Sequence, residues 1–471
     1  MELTIWGLVF IPLSIIFILF TQHIAISLLL FSLSLQMTSI LILPTLNYGF
    51  QLYKFLLILF SLYFTIKIIN NGGILKTHNF YLKKISIFLL LFLLYLIIIS
   101  FAGPFIFSDI PVFPPLLGLD YSAFFGPSPL EFSTLNVVLP LYILFYTLTF
   151  LYIISYKIQE KDIKTIILSW KITVFLTILL LLIQYAFFFI INDDVLEYIG
   201  INNSPQGVYG FVQFENLGKV LPRLRGTFQE PSMVSPFLVG IFIYKLSQLR
   251  KRLRSYLNVI MIFSLLFLTA STTAYISFII MLAIYLLLNL PVIYQNKSFY
   301  IRKQNAKTFI IALFLTISTL LILGILFGFE IIFFYISEFI FKKTETSSFF
   351  SRTQADIHSL QLFLDTFFIG VGMGSHRGSS LIFNLLATVG IMGTTLFLIF
   401  IYYFLKYSYR VLKNTEFFPY FYLLPSVLVS MNISIPDLTF PTFWQFLYIT
   451  VLAIKIVEYK EMNKNEILRR F

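Results

Sequence analysis

The hydrophobic positions of the chain form long continuous runs, and short polar stretches separate these runs from end to end. A helix needs about 20 apolar residues to cross about 30 Å of hydrocarbon, whereas a membrane β-strand shows a shorter alternating pattern. The runs therefore predict an all-α polytopic membrane protein with about 13 transmembrane helices. The predicted spans are residues 3–20, 24–43, 51–69, 85–103, 133–155, 165–191, 233–248, 257–271, 273–289, 308–329, 381–405, 417–434 and 443–457.

Lysine and arginine cluster in alternate loops, and this alternation predicts how the chain is oriented. The basic loops lie near residues 76–84, 157–164, 249–256, 297–307 and 406–413 and in the C-terminal tail. The positive-inside rule places these loops in the cytoplasm. Longer segments near 104–132, 192–232 and 330–380 then lie outside, with the N-terminus. We expect one membrane domain, residues 1–471, in the cytoplasmic (inner) membrane, whose loops 192–232 and 330–380 form an active-site mouth facing the exterior.

Composition narrows the class of protein further. The chain has 471 residues, is 59% hydrophobic and only 11% charged, and contains no cysteine, which excludes disulfides and thiolate chemistry. The formal charge of +12 follows mostly from the basic cytoplasmic loops, so we expect no nucleic-acid partner. The only compact acidic group, Asp193, Asp194 and Glu197, lacks a convincing metal-ligand spacing and is interpreted as a solvated loop. No metal or other cofactor is predicted.

The apolar stretch between Leu257 and Asn289 is too long for one ordinary span, and both of its flanks are basic. We therefore predict a helical hairpin whose tip is the small polar turn Thr269–Thr273. The alternative is a simple polar break whose serine and threonine hydroxyls are satisfied within the structure.

The stretch R-L-R-G-T-F-Q-E-P-S at 223–232 is densely polar for this chain. Pro231 can begin a helix, because the first turn does not need its missing N–H. Arg223 and Arg225 offer planar guanidinium groups suited to phosphate oxygens. Glu230, at the mouth of the helix bundle, is a candidate general base. Alternatively, Arg225 and Glu230 pair with each other and only anchor the helix.

A second polar region follows later in the chain. Asp356–Phe368 has an amphipathic pattern that predicts a helix at the outer membrane interface. The run G-V-G-M-G at 370–374 has no preceding strand to support a nucleotide site. It is interpreted as permissive backbone that brings the Ser-His-Arg of 375–377 close to a ligand. His358 and His376 are also compatible with ordinary interfacial histidines.

Three segments together resemble a known family: R-x-R-G-T-F-x-E-P-S at 223–232, F-F-I-G-V-G-M-G-S-H-R-G-S-S at 367–380 and N-L-L-A-T-V-G-I-M-G at 384–393. In their order and their predicted outer placement, they resemble the Wzy-type polysaccharide polymerases of the O-antigen polymerase and ligase superfamily. The resemblance implies a GT-C-like fold. It also implies a metal-independent glycosyltransferase that joins undecaprenyl-diphosphate-linked glycan repeat units of O-antigen, capsule or exopolysaccharide.

The same resemblance implies partners and site residues. The partners are the lipid-linked oligosaccharide donor and acceptor, the lipid bilayer and, as a candidate, a chain-length regulator protein. The implied diphosphate ligands are Arg223, Arg225, Arg352 and Arg377; the implied base is Glu230 or His376; and the implied glycan or acceptor contacts are Ser375, Ser379, Ser380 and His358. The tip Ser271-Thr272-Thr273 departs from the family, because relatives often carry a Ser-Arg pair there.

Two other functions were weighed against polymerisation. A flippase or another transporter would carry ionisable residues near the bilayer midplane, whereas here the helix centres are almost free of charge, with Gln36 and Gln184 as the notable polar residues. An O-antigen ligase would use the same donor, but the E-P-S and R-G-S-S segments favour a polymerase. The outer arginines argue against a purely structural scaffold.

Overall fold

We analysed the protein as a computed structural model. It describes residues 1–72, 79–115, 126–191, 193–205, 211–214, 219–249, 253–289, 292–295, 298–301 and 346–469, with a few scattered positions between 314 and 337. The predicted span 308–329 lies almost wholly outside the described residues. Over the described part the chain is mostly helical, as the sequence predicts.

The helices follow the apolar runs. They are α1 Ile5–Phe20, α2 Gln22–Ser32, α3 Leu52–Asn70, α4 Phe80–Ile106, α5 Leu135–Ser155, α6 Glu160–Ile191, α7 Val195–Tyr198, α8 Pro231–Ser247, α9 Leu253–Leu268, α10 Thr272–Asn289, α11 Ser347–Asp365, α12 Leu381–Leu412, α13 Leu423–Ser434 and α14 Pro441–Arg469. A short 3₁₀ helix, Phe418–Tyr422, precedes α13.

The strands are short and pair in small antiparallel ribbons. They are β1 Glu2–Leu3, β2 Ser39–Leu43, β3 Tyr48–Gln51, β4 Pro111–Val112, β5 Ser128–Pro129, β6 Phe211–Phe214, β7 Lys219–Pro222, β8 Val292–Gln295 and β9 Ser298–Ile301. Strands β1, β2 and β3 form one sheet, and the others pair as hairpins or two-stranded ribbons. These strands lie between helices and do not change the helical character of the fold.

Six described helices are long and apolar enough to cross a membrane: Leu52–Asn70, Tyr81–Ile106, Leu135–Ser155, Glu160–Phe188, Thr272–Asn289 and Leu381–Leu412. Shorter apolar helices match four further predicted spans in whole or in part. The protein is thus a helical, membrane-embedded protein, whereas the count of thirteen spans and the GT-C-like architecture stay predictions.

The predicted span 24–43 is wrong as a single helix. Helix α2 ends at Ser32, and the chain then turns and enters the β2–β3 hairpin. The cause is visible in the sequence, because polar and apolar residues alternate from Ser32 to Thr38. A period of two does not continue the apolar face of a helix. The polar backbone of this hairpin therefore lies beside the loops at one end of the bundle.

The predicted helical hairpin is confirmed. Helices α9 and α10 are joined by a tight turn in which Ala270 has a left-handed φ of 46°. The polar groups of the turn are satisfied partly within the hairpin and partly by other segments. Thr269 Oγ1, for example, donates to the carbonyl of Leu266 at 2.8 Å.

Hydrogen bonds between loops divide the bundle into two ends. One end contains a cavity of about 220 Å³, and we call it the cavity end. There, Met37 N donates to Thr227 O at 3.0 Å, and Asn384 Nδ2 donates to Pro436 O at 3.2 Å. The cavity end comprises residues 32–51, 193–205, 223–232, 269–272, 366–380 and 434–441. At the opposite end, Lys460 pairs with Glu416 at 2.7 Å. The described loops predicted to be outer gather at the cavity end, and which end faces outside stays a prediction.

Candidate functional site

A cavity of about 220 Å³ lies at the cavity end, between the β2–β3 hairpin, helices α3 and α5, the start of α8 and the loops after residues 376 and 434. Its charged lining residues are Lys54, Glu230, Arg377 and Asp437. Other lining side chains are polar (Gln36, Gln51, Tyr48, Tyr142 and Gln229) or apolar (Leu135, Val138, Leu139, Met233 and Ile435). A mixed cavity with a few convergent charges is the usual form of a small-ligand or active site.

Glu230 lies at the edge of this cavity because of the way α8 begins. Pro231 is the first helical residue, and Glu230 precedes it in an extended conformation with φ −140° and ψ 158°. The side chain of Glu230 is half-buried, and its Oε2 accepts a hydrogen bond from Ser232 Oγ at 3.2 Å. The carboxylate is therefore held at a helix N-terminus, beside the cavity.

Arg377 approaches the same cavity from the loop after α11. Its Nη2 lies 3.3 Å from Asp437 Oδ2, and the side chains are 30% and 32% exposed. The Arg377 backbone N–H donates to Phe113 O at 2.9 Å, which fixes the chain at this position. Because a partly solvated ion pair contributes little to stability, a competing anion can replace this carboxylate at small cost.

Lys54 is a third cation at the cavity, and the sequence analysis did not single it out. It lies in the first turn of α3, where its Nζ donates to Tyr48 OH at 2.9 Å and stands 5.1 Å from the ring centres of Tyr48 and Tyr142. The signal in the sequence is a lysine at the very start of a long apolar helix, directly after the aromatic-rich segment 48–53. The apolar pattern alone assigns this residue to the predicted span 51–69.

Arg225 has different surroundings. It is fully buried, and its Nη2 lies 3.0 Å from Asp194 Oδ2 and 2.6 Å from Glu197 Oε1. Gln184 Oε1 accepts hydrogen bonds from the backbone N–H groups of Arg225 and Gly226. The anchoring alternative therefore describes Arg225 well, although its partners are these two carboxylates and not Glu230.

The prediction that the acidic segment 193–197 is a solvated loop is wrong for Asp194, which is buried and paired with Arg225. Asp194 is fully buried and caps the short helix α7, where it accepts from Leu196 N at 3.0 Å. Glu197 is half-exposed, and burial raises its pKa, against the opposing effect of Arg225. A long-range pair with a buried arginine could not be read from the local spacing of the acidic residues.

Arg223 contacts the tip of the α9–α10 hairpin. Its Nη2 donates to the carbonyl of Ala270 at 3.0 Å, and the neighbouring Leu224 N donates to Leu268 O at 3.3 Å. The segment 223–225 is thus fastened to the tip on one side and to α7 on the other. Its role as a diphosphate ligand stays a prediction.

The glycine-rich run 370–374 serves packing. Gly370, Gly372 and Gly374 all have φ near +90°, a region that other residues rarely adopt. A Cβ on Gly372 would lie 2.8 Å from the carbonyl oxygen of Ile99, and one on Gly374 would lie 2.5 Å from Leu135 backbone atoms. The loop therefore packs directly on the backbones of α4 and α5, as only glycine allows, and this docking positions Arg377.

The serines of the second region have structural partners. Asn136 Nδ2 donates to Ser375 Oγ at 2.7 Å. Asp356 Oδ1 accepts from the backbone N–H groups of Ser379 and Ser380 at 2.8 and 3.0 Å, next to the N-terminus of α12. Burial raises the pKa of Asp356, opposed by these hydrogen bonds. The contacts favour a scaffolding role for Ser375, Ser379 and Ser380, and glycan binding by them stays a prediction.

The remaining cationic candidate of this region, Arg352, lies on α11, one helical turn before Asp356. It is half-buried, and its charge favours the ionised form of Asp356. Arg352 does not line the cavity. The helix predicted over Asp356–Phe368 is present as α11, although it begins and ends earlier than the amphipathic pattern indicated, and its place at the membrane interface stays a prediction.

His376 is buried, and both of its ring nitrogens have protein partners. Phe113 N–H donates to Nδ1 at 3.2 Å, and Nε2 lies 2.8 Å from Ser359 Oγ. Because Ser359 donates its own proton to Ala355 O, Nε2 carries the hydrogen. Burial lowers the pKa of His376 to about 3, with a smaller effect from His358. A neutral, fully bonded imidazole is poorly placed to take a substrate proton.

His358 packs against the same segment. Its Nε2 lies 2.9 Å from Pro111 O, and its ring centre is 4.6 Å from that of Phe113. This arrangement fits the interfacial interpretation of the residue. Both histidines thus fasten the β4 segment to α11 and the glycine-rich loop.

In the described part of the chain, no three or more histidine, aspartate or glutamate side chains are grouped so that they could hold a metal ion, and metal independence stays a prediction. Comparison with known proteins adds no assignment: no family model matches the chain, and no curated protein matches it. Functional inference therefore rests on the cavity and on the sequence resemblance.

Proposed function

We propose that the protein is a glycosyltransferase that polymerises undecaprenyl-diphosphate-linked glycan repeat units at the outer face of the cytoplasmic membrane. The observation that carries this proposal is the meeting of Glu230 and Arg377 at one cavity. They belong to two of the segments on which the resemblance rests. Asn384, from the third segment, accepts from Gly378 N at 3.0 Å and holds the loop that bears Asp437.

The charges of the cavity suit transfer from a lipid diphosphate. Arg377 and Lys54 would bind the diphosphate of the donor, and the arginine offers a planar fork for two phosphate oxygens. Their positive charge would stabilise the negative charge that develops on the leaving group. Arg225, paired with two carboxylates, would support the segment that carries Glu230 and would not touch the donor.

Glu230 would act as the general base. It would take the proton from the acceptor hydroxyl as that oxygen attacks the anomeric carbon, while the bond from this carbon to the diphosphate oxygen breaks. Undecaprenyl diphosphate then leaves with both bonding electrons. A base positioned in this way contributes about 10²–10⁴-fold to a rate.

The apolar side of the cavity fits a lipid-linked substrate. Val138, Leu139 and Met233 lie on helices of the bundle and line the cavity beside the charged residues. A polyprenyl chain could follow such an apolar wall while the diphosphate meets Arg377 and Lys54. A polyprenyl diphosphate would therefore supply an apolar partner for the apolar wall and an anionic partner for the basic side chains.

The proposal is tested by incubating the purified protein with its own lipid-linked repeat unit and resolving the products on a gel. A polymerase gives a ladder of products in excess EDTA. Transfer of a single unit to a lipid A core acceptor without a ladder would instead indicate a ligase. Movement of the intact unit across vesicles, with no new glycosidic bond, would indicate a flippase.

A further inference from the structure

A second cavity, of about 770 Å³, lies at the opposite end of the bundle and has no part in the proposed reaction. It is bounded by α6, by the end of α8, by the start of α9, by the end of α10 and by the loop before α13. Its described charged residues are Lys171, Lys245 and Glu416. Arg254 stands close enough to Lys245 to act on its charge.

The positive charge of this cavity is not compensated by the described residues. Glu416 is bonded to Lys460 at 2.7 Å, and in the described part of the chain neither Lys171 nor Lys245 forms an ion pair. Lys245 and Lys171 lie on neighbouring helices and repel each other. Two cations that share a cavity in this way are stabilised by an anion between them.

The position of Lys171 along its predicted membrane span indicates that the anion belongs to a lipid headgroup. Lys171 lies within the predicted span 165–191, about 9 Å beyond its first residue, and it is exposed. Lysine at the border of the hydrocarbon is costly unless it reaches the headgroup layer or an anionic partner. Tyr244, Tyr285 and Tyr420 line the same cavity, as aromatic residues do at the membrane interface.

The polar lining supplies hydrogen-bond donors beside the charges. Ser255 and Asn258 lie near the beginning of α9 and line the cavity. Asn289, at the end of α10, lines it too, but its amide donates to Tyr285 O and Tyr422 OH. Hydroxyl and amide groups of this kind bind phosphate oxygens together with lysine. We infer that this cavity binds the phosphodiester headgroup of an anionic phospholipid, held by Lys171 and Lys245. Basic pockets between transmembrane helices bind such headgroups in the same manner.

The inference is tested by native mass spectrometry of the full-length protein titrated with phosphatidylglycerol or phosphatidylcholine. The wild type should retain one phosphatidylglycerol in preference to phosphatidylcholine. The double variant Lys171→Gln/Lys245→Gln should bind phosphatidylglycerol about 25-fold more weakly, since each lysine contributes roughly a fivefold effect. Lys406→Gln/Lys413→Gln is the matched control, because both lysines are exposed at the same end but do not line the cavity.

A charge-preserving double variant, Lys171→Arg/Lys245→Arg, guards against misfolding and should bind phosphatidylglycerol as the wild type does. Equal retention of phosphatidylglycerol by the wild type and the glutamine double variant would overturn the inference. A rise in melting temperature with inorganic phosphate that depends on these lysines, without any effect of phosphatidylglycerol, would overturn it too, because the site would then serve a soluble phosphate.

Discussion

Arg225 and Arg377 lie at the same end of the helix bundle, and each belongs to a segment that resembles a glycan polymerase. Arg225 is fully buried between Asp194 and Glu197, whereas Arg377 and Asp437 are each about one-third exposed. Removing one partner of a buried ion pair is costly, while a partly solvated pair exchanges partners easily. The difference teaches that two arginines from similar motifs can differ in burial and in ion-pair partners, and it predicts that Arg225 supports the site while Arg377 binds the substrate.

The largest effect is expected at the cavity itself. Glu230→Gln should slow polymerisation by about 10²–10⁴-fold while donor binding is largely kept, because the amide cannot accept the acceptor proton. Glu131→Gln is the matched control, since Glu131 is exposed and lies outside the cavity. Rates measured on purified variants of equal membrane abundance check this prediction. A normal rate for Glu230→Gln would remove Glu230 from the mechanism.

The next largest effect is expected at Arg225, the buried arginine, and concerns the stability of the protein. Arg225→Ala should lower the free energy of unfolding by about 3–5 kcal/mol, because it leaves the buried carboxylate of Asp194 uncompensated. Thermal unfolding in detergent, and the amount of protein in the membrane, are the measurements. An Arg225→Ala variant that is stable and abundant but inactive would contradict the comparison and return Arg225 to the substrate site.

A change at Arg377, the more exposed of the two arginines, is expected to lower activity and to leave stability unchanged. Arg377→Lys should fold normally but polymerise about 10–100-fold more slowly, because lysine keeps the charge and loses the planar fork that holds two phosphate oxygens. The same conservative change at an exposed arginine outside the cavity, Arg410→Lys, is the matched control. Full activity of Arg377→Lys would show that the donor diphosphate does not need Arg377.

The last prediction concerns His376, the other candidate base, and uses the pH dependence of stability, with activity unaffected near neutral pH. His376 has a folded pKa of about 3, below its usual value near 6.5. The unfolded chain therefore binds a proton more readily, and the stabilisation from neutral His376 is complete above about pH 6.5 and is lost as the pH falls toward 3, by up to about 1.4 kcal/mol per pH unit.

His376→Gln should remove this component of the pH dependence, whereas His358→Gln should keep it. Melting temperatures of both variants and the wild type between pH 7 and pH 4 give the comparison. An unchanged pH dependence in His376→Gln would mean that the imidazole is not buried and neutral, and His376 would again be a candidate base.

The apolar pattern predicted most of the helices because a bilayer permits few alternatives to a continuous apolar helix. It failed between Leu33 and Leu43, where alternating polar residues end helix α2 and the largely apolar strand β2 follows. The start of α8 was predictable from Pro231, because the constraint is local to the proline.

The site could be predicted only in part. Glu230 and Arg377 were identified from their segments, and the structure brings them to one cavity. The partners of Arg225 lie far away in the sequence, so local spacing could not reveal them. Lys54 was missed because a single charge at the end of an apolar helix is usually an interfacial anchor, and only the packing of Tyr48 and Tyr142 around it distinguishes it.

The most direct test of the central claim is an experimental structure of the protein with its undecaprenyl-diphosphate-linked repeat unit bound. The account predicts the diphosphate within hydrogen-bonding distance of Arg377 and Lys54, with Glu230 facing the sugar that reacts and the polyprenyl chain along Val138 and Leu139. A donor bound elsewhere, with its diphosphate against Arg225 or with the cavity between Lys54 and Arg377 empty, would contradict it.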